Sequence, residues 1–350
     1  MKELLRHKRG AISVIILFLL YFSAILSGFI SPYHYRSEKR LLSYAPPSKI
    51  HFFDSKEGFN PRPFVYKYKT SLDQNRKRVY TEDKSKQYFL SLFTQGDNYK
   101  LFGLFSNNRH LFGVDPEARL YLFGADSRGR DLFSRIIYGG RVSLSIGLIA
   151  VIITFFIGLI VGGTAGYFGG KIDNILMRLC EMVMLVPGFY LLLALRSSFP
   201  PEIGTVKIYF LIITILSFIG WASLARVIRG IVLGLREKEY VLAARSIGLS
   251  NFKIIIRHIL PNTSSYTIIA LMLSIPSYIL GESALSLLGL GIQDPVPSWG
   301  NLLKDAMAIV QIKLHPWILI PGIFIFLAVV AFNMLGDALR DVYDPKRKIV

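Results

Sequence analysis

Charge is scarce in this chain, and cysteine is almost missing. Only 18% of the 350 residues are charged, against about 25% in an ordinary soluble domain. Meanwhile 52% are hydrophobic and the mean hydropathy is +0.44. So little charge excludes a soluble globular protein. Uncharged apolar runs of about 20 residues recur, and each is long enough to cross a hydrocarbon core about 30 Å thick. The single cysteine, Cys180, lies within an apolar run. It excludes an internal disulfide and fits the role of a small buried hydrophobe. His51, His110, His258 and His315 are scattered without metal-ligand spacing, and no nucleophile–base–acid trio can be assembled. Gly170-Lys171 has the look of a phosphate loop, but Ala165 stands where the first glycine belongs and Ile172 where Ser or Thr belongs. There is no Walker A site, and no ATP, metal or other cofactor site is expected on this chain.

What the chain does have is positive charge, +18 overall, gathered at the ends of the apolar runs. Cations placed there hold loops on the cytoplasmic side and meet anionic lipid, so a nucleic-acid partner is not implied. The runs predict about six spans: Ala11–Ile30, Ser143–Ala165, Ile175–Leu195, Ile208–Ala225, Thr263–Leu288 and Trp317–Leu335. The first, behind Lys2, Arg6, Lys8 and Arg9, is too long for the apolar part of a signal peptide and reads as an uncleaved span. Alternate loops carry the cations: Lys171 and Arg178, then Arg226 through Arg257, then Arg340, Lys346, Arg347 and Lys348. That side is inside, which puts both termini in the cytoplasm.

The divisions that follow are residues 1–10 as a cytoplasmic N-terminus, 11–30 as the first span, 31–141 as an extracytoplasmic insertion with an interfacial helix, 142–338 as the five-span core, and 339–350 as a cytoplasmic tail. The insertion is polar yet aromatic, with a Pro-broken start at Pro46, Pro47, Pro61 and Pro63. Alternation over Phe64–Tyr68 and Leu-Phe-Gly at 101, 111 and 122 predict a small β-meander with turns. Asp126 or Ser127 is placed to cap a helix starting near Gly129. That helix would lay Leu132, Phe133, Ile136 and Ile137 in the outer membrane interface.

Within the core, the loop 229–262 contains the polar, basic segment Glu239–Asn262. Good helix formers over Arg236–Ile247 are interrupted by Gly248, and Asn251–Leu260 resumes behind Ser250 as N-cap until Pro261 ends or kinks it. Two short helices meeting at a glycine serve equally as an amphipathic connector or as a surface gripped by a cytoplasmic partner. Arg178 and Glu181 are three apart on one helix face and can pair, as a structural pair or a relay. Glu282, following Pro276 in the fifth run, is an acid within a span that either lines a pathway or gate or hydrogen-bonds a neighbouring helix.

Ala243, Ala244, Gly248, Leu260 and Pro261 stand in register with the coupling-loop motif of ABC importer permeases, while Leu242 and His258 depart from it. Gly124–Ser145, Gly166–Glu181, Leu285–Gly291 and Gly336–Pro345 resemble signatures of one branch, the dipeptide/oligopeptide permease C-type subunit. The resemblance implies an all-α polytopic fold of the type I importer permease, with a small β or irregular insertion between the first two spans. It implies a non-enzymatic role in a bacterial inner membrane, beside a second permease (B-type), two cytoplasmic ATPases that carry ATP and Mg, and an extracytoplasmic binding protein. Tyr240, Ala243, Ala244, Arg245, Gly248 and Pro261 are then the ATPase-coupling residues. Cargo is expected to be di- or oligopeptides, with nickel, an opine or a peptide antibiotic as alternatives. A secondary carrier, which would favour inverted repeats, and a membrane-anchored scaffold are the rival classes.

Overall fold

A backbone surrounded by lipid has no water to bond with, so each apolar run closes its hydrogen bonds internally as helix. The computed structural model describes residues 4, 7–54, 58–74, 78–101, 103–198, 200 and 204–343. Lys2 and Arg6 at the N-terminus, and residues 344–350 of the expected tail with Lys346, Arg347 and Lys348, lie outside them. The chain order is α1 (Lys8–Ile25), α2 (Ser27–Ile30), strands β1 (His51–Asp54), β2 (Gly58–Leu72), β3 (Arg78–Phe89), β4 (Ser91–Leu101) and β5 (Phe105–Gly113), then α3 (Leu132–Phe168), α4 (Gly170–Leu185), α5 (Gly188–Ser197) and α6 (Thr205–Leu235). After these come α7 (Glu239–Ser246), α8 (Asn251–Ile254), a π-turn (Ile255–Ile259), α9 (Leu260–Leu287), two short helices α10 (Trp299–Leu302) and α11 (Ile309–Leu314), and α12 (Ile320–Tyr343).

Among the described residues, five helical stretches are long and apolar enough to cross a membrane: Lys8–Ile25, Leu132–Phe168, Thr205–Leu235, Asn251–Leu287 and Pro316–Tyr343. The expected third span, Ile175–Leu195, is not one of them. It is divided into α4 and α5 at Val186-Pro187, where Val186 is extended (φ −80, ψ 118). Proline disfavours helical backbone in the residue before it, which is why the run breaks there. The fourth run also differs, because its helix continues past Arg226 and Arg229 to Leu235.

The molecule divides into two compact units. The first comprises Met1–Phe18, Leu144–Leu285 and Leu327–Val350. Its helices meet at glycines. A Cβ at Gly162 would lie 2.4 Å from the carbonyl oxygen of Ala225, and one at Gly166 would lie 2.8 Å from that of Arg229. Gly158, one turn earlier, faces the Leu224 side chain. A glycine every fourth residue thus lets α3 approach the backbone of α6, the small-residue packing that membranes favour. Thr154 of α3 and Tyr278 of α9 share a hydrogen bond of 2.9 Å, and Ser217 of α6 donates to the Ala150 carbonyl at 3.2 Å.

The second unit comprises Leu19–Ser143 and Ser286–Phe326. Its strands form an antiparallel β1-β2-β3 sheet and a separate β4-β5 ribbon, so the small β insertion is present, as two sheets. Two of the three Leu-Phe-Gly sites end in a left-handed glycine, Gly103 (φ +74) and Gly124 (φ +80). Asp126 does not cap a helix at Gly129. It folds a turn instead, accepting from the backbone N–H of Arg128 (2.8 Å) and Arg130 (3.0 Å). The helix starts at Leu132, where Asp131 accepts from the Ser134 N–H at 2.8 Å. Leu132, Ile136 and Ile137 are buried in protein as the first turns of α3 and do not form an interfacial helix. The indole Nε1 of Trp299 donates to the Ile136 carbonyl at 3.0 Å. Around them the buried Asp126, Arg130 and Arg135 form an ion cluster with the more exposed Asp294: Arg130 to Asp126 at 2.7 Å, Arg130 to Asp294 through both Nη atoms at 3.1 Å, and Arg135 to Asp294 at 2.6 Å. The two guanidinium groups hold the Asp294 carboxyl at about 2, although its burial alone would raise it.

Candidate functional site

The segment after α6 is built from a polar, charged helix pair. Lys238 is extended (φ −74, ψ 145), and α7 begins with Glu239 in its first turn and Arg245 in its last, the charge order that suits the helix dipole. Gly248 (φ +78) closes the helix. The N–H of Gly248 donates to the Arg245 carbonyl at 3.0 Å and that of Leu249 to the Ala244 carbonyl at 3.2 Å. These two bonds are a Schellman cap, which needs the left-handed conformation that glycine adopts without strain. Ser250 is extended, and α8 starts behind it, with the Ile254 N–H bonded to the Ser250 carbonyl at 3.0 Å and no side-chain cap.

One face of this pair is fixed. Val241 and Ala244 of α7 and Ile254 and Ile259 pack with Tyr167 of α3 and Leu224, Ile228 and Val232 of α6. Tyr167 is the clasp: its hydroxyl donates to Asn251 Oδ1 at 2.8 Å, and the Arg245 guanidinium lies over its ring at 5.4 Å. Arg229 of α6 donates through Nε to Asp173 of α4 at 2.9 Å, with a second contact from Nη2. A displacement of α7 therefore loads α3, α6 and the helix running into α9 together, because close-packed interiors transmit strain.

The other face is open. Ile247 is 76% exposed and Phe252 72%, with Tyr240 and Leu242 also exposed. Apolar side chains presented on a charged helix pair suit the groove of another protein. Of the residues singled out in the sequence, Tyr240, Ala243, Arg245 and Gly248 lie on the exposed side and Ala244 in the packed core. Pro261 is exposed but does not end the helix. Asn251–Leu287 is continuous, and the π-turn Ile255–Ile259 takes up the register where Pro261 has no N–H to give. Ile247 and Phe252 carried no signal of their own, since apolar residues in a helical segment read as core.

Elsewhere, Arg178 Nη1 meets Glu181 at 2.9 Å, the Arg178 side chain being 81% exposed. Glu282 is fully buried in α9, which also contains Pro276, and Ser283 Oγ lies 3.5 Å from its Oε2. Among the described residues, no group of three or more His, Cys, Asp and Glu side chains is arranged to hold a metal.

The long apolar helices mark a membrane protein, and comparison with known proteins gives its family. Residues 154–349 match the family of the binding-protein-dependent transport system inner membrane component, and residues 1–47 match the N-terminal TM domain of oligopeptide transport permease C. The chain belongs to the former family, whose model covers more than half of it. It is 43% identical over 232 residues to the dipeptide transport system permease protein DppC of Bacillus subtilis (strain 168), covering 66% of this chain and 70% of that protein. It is 42% identical over 227 residues to the oligopeptide transport system permease protein OppC of Haemophilus influenzae, covering 65% and 70%. A solved amino acid ABC transporter, crystallised with histidines, is similar at 17% identity and a TM-score of 0.42, over 60% of this chain and 94% of that one.

Proposed function

We propose that this chain is the C-type permease subunit of an ATP-driven importer of di- or oligopeptides in a bacterial inner membrane, and that α7 and α8 are the levers by which partner ATPases move it. A second permease completes the pathway, two ATPases bind and hydrolyse ATP on the side of α7, and a binding protein delivers cargo to the opposite side. In this reading both termini face the cytoplasm, residues 31–141 are extracytoplasmic, and the chain itself binds no ATP, Mg or metal.

The single observation that carries the reading is the two-faced helix pair. Its exposed face offers Ile247, Phe252 and Tyr240, while its buried face is continuous with α3 and α6. An ATPase that grips the first face moves the second. Closure of the ATPase pair then reorients the long helices, and hydrolysis resets them. Peptide cargo is supported by the names of the similar permeases.

The test is reconstitution. Membranes carrying the chain should yield an ATPase on purification through a tag on this subunit, and the complex should accumulate labelled peptide with ATP. Uptake of nickel, an opine or a peptide antibiotic in place of simple peptides would reassign the cargo. Transport driven by an ion gradient with no associated ATPase would overturn the class.

A further inference from the structure

The turn between β4 and β5 breaks the usual chemistry of hairpins. Turn positions favour Gly, Asn, Asp and Ser, yet Leu101–Phe105 reads Leu-Phe-Gly-Leu-Phe with no polar residue. The Leu104 N–H bonds back to the Leu101 carbonyl at 3.1 Å, Leu101 pairs with Phe105, and Gly103 supplies the left-handed residue. Leu104 is 78% exposed and Phe105 66%. Leu92 and Phe93 on the same ribbon are exposed as well. Phe93 holds φ +55, an unfavourable conformation for a bulky side chain, while its ring meets Phe29 at a centroid distance of 6.2 Å.

The ribbon's position against the first span says what covers this apolar tip. Helix α1 has 18 residues, about 27 Å of helix at 1.5 Å per residue, and α2 follows directly. The hydrocarbon core is about 30 Å thick, so Ser27–Ile30 lies at its rim. The ribbon is seated at that rim. A Cβ on Gly28 would lie 2.4 Å from Tyr99 Cδ2, so the tyrosine ring rests on the helix backbone. The two ring nitrogens of His110 face the Ser31 carbonyl (2.6 Å) and the Asp97 carbonyl (2.9 Å). Asp97 in turn accepts from the His34 N–H at 2.8 Å. From Tyr99 to the Leu101–Phe105 pair is two residues, about 7 Å of strand. The headgroup layer extends about 5–8 Å beyond the core on each side. A ribbon that runs along or outward from the membrane surface therefore keeps its tip within that layer.

We infer that the β4–β5 tip is a membrane-surface anchor, with Leu104 and Phe105 seated among the lipid headgroups at the Ile30 end of the first span. Leucine and aromatic side chains are favoured at that depth. The exposed Lys100, opposite Ser106, flanks the tip and suits anionic lipid. The anchor ties the β insertion to the bilayer as well as to the helices.

Spin labelling tests this on the full-length chain, with the subunits that co-purify with it, in nanodiscs of phosphatidylethanolamine and phosphatidylglycerol. In a Cys180→Ala background, labels are placed at Leu104→Cys and Phe105→Cys, with Leu19→Cys on the exposed side of the first span as the core reference. Collision with oxygen and with a water-soluble nickel chelate gives depth. The expected oxygen-to-nickel ratio at both tip sites lies between that of Leu19→Cys and that of free label in water. A water-like ratio would overturn the anchor. So would loss of collisions with both reagents, since that marks cover by protein.

Discussion

The N–H of Leu249 donates to the carbonyl of Ala244 at 3.2 Å, across Gly248 at φ +78. This one bond sets the angle at which α7 hands over to α8, and so the relation between the exposed Ile247 and Phe252. A Cβ at Gly248 would meet nothing within 4 Å. The demand for glycine is therefore wholly a backbone demand.

Gly248→Val should cost about 1–2 kcal/mol through left-handed strain alone and misdirect the helix pair. Membrane insertion should be retained and ATP hydrolysis should run without matching peptide uptake. Gly248→Asn, which tolerates this conformation better, should lie between Val and wild type. Paired hydrolysis and uptake assays on the three proteins check the order.

Tyr278 Oη would lie 1.9 Å from a Cβ on Gly220, and it bonds Thr154. Gly220→Ala should therefore lower thermal stability in detergent, with a cost on the order of 1–3 kcal/mol for overpacking. Adding Tyr278→Phe removes the colliding oxygen and should recover part of the loss. Gly162→Ala, which meets the carbonyl of Ala225, should be costlier and should not respond to Tyr278→Phe.

Two carboxyls of the second unit make opposite contributions as pH falls. Desolvation raises Asp131 from 3.8 to about 6, so its folded form prefers the neutral acid, and stability should grow as pH drops from about 6 to about 4. Asp294 is held at about 2 against its ordinary 3.8. Its contribution is complete above about pH 4 and is lost as pH falls toward 2. Stability of this unit, read as hydrogen-exchange protection corrected for the intrinsic pH dependence of exchange, should show a maximum near pH 4. Asp131→Asn, which keeps the acceptor for Ser134, should flatten the rise by up to about 3 kcal/mol, the equivalent of about two pKa units. Asp294→Asn should flatten the acid-side fall.

Glu282 is fully buried, which suits packing or gating better than contact with cargo. Glu282→Gln keeps shape and hydrogen-bonding capacity. It should change the maximal transport rate and leave the peptide concentration for half-maximal uptake within about twofold, about 0.4 kcal/mol by the affinity scale. A large change in that concentration would instead place the carboxylate on the cargo.

Hydropathy reveals where lipid can lie, and it located the five long helices closely. It is blind to where helix ends, because Leu132–Arg141 and Arg226–Leu235 are charged and still helical. Composition also joined Ile175 to Leu195 across Pro187, where backbone geometry divides them. The spacing of Ala244, Gly248 and Pro261 marked the helix pair, and the Schellman cap at Gly248 follows from it. The glycine row 158, 162, 166 was equally readable as small-residue packing but had no partner until α6 was in place. The Arg130–Asp294 cluster joins distant segments, and no local spacing announces it.

Crosslinking from the exposed face tests the coupling role most directly. In a Cys180→Ala background, Ile247→Cys and Phe252→Cys should each form a disulfide or short crosslink to an ATPase subunit in native membranes, with a yield that changes when ATP is bound. Crosslinks that never capture an ATPase, or labelling of these cysteines by an impermeant reagent from outside the cell, would contradict it.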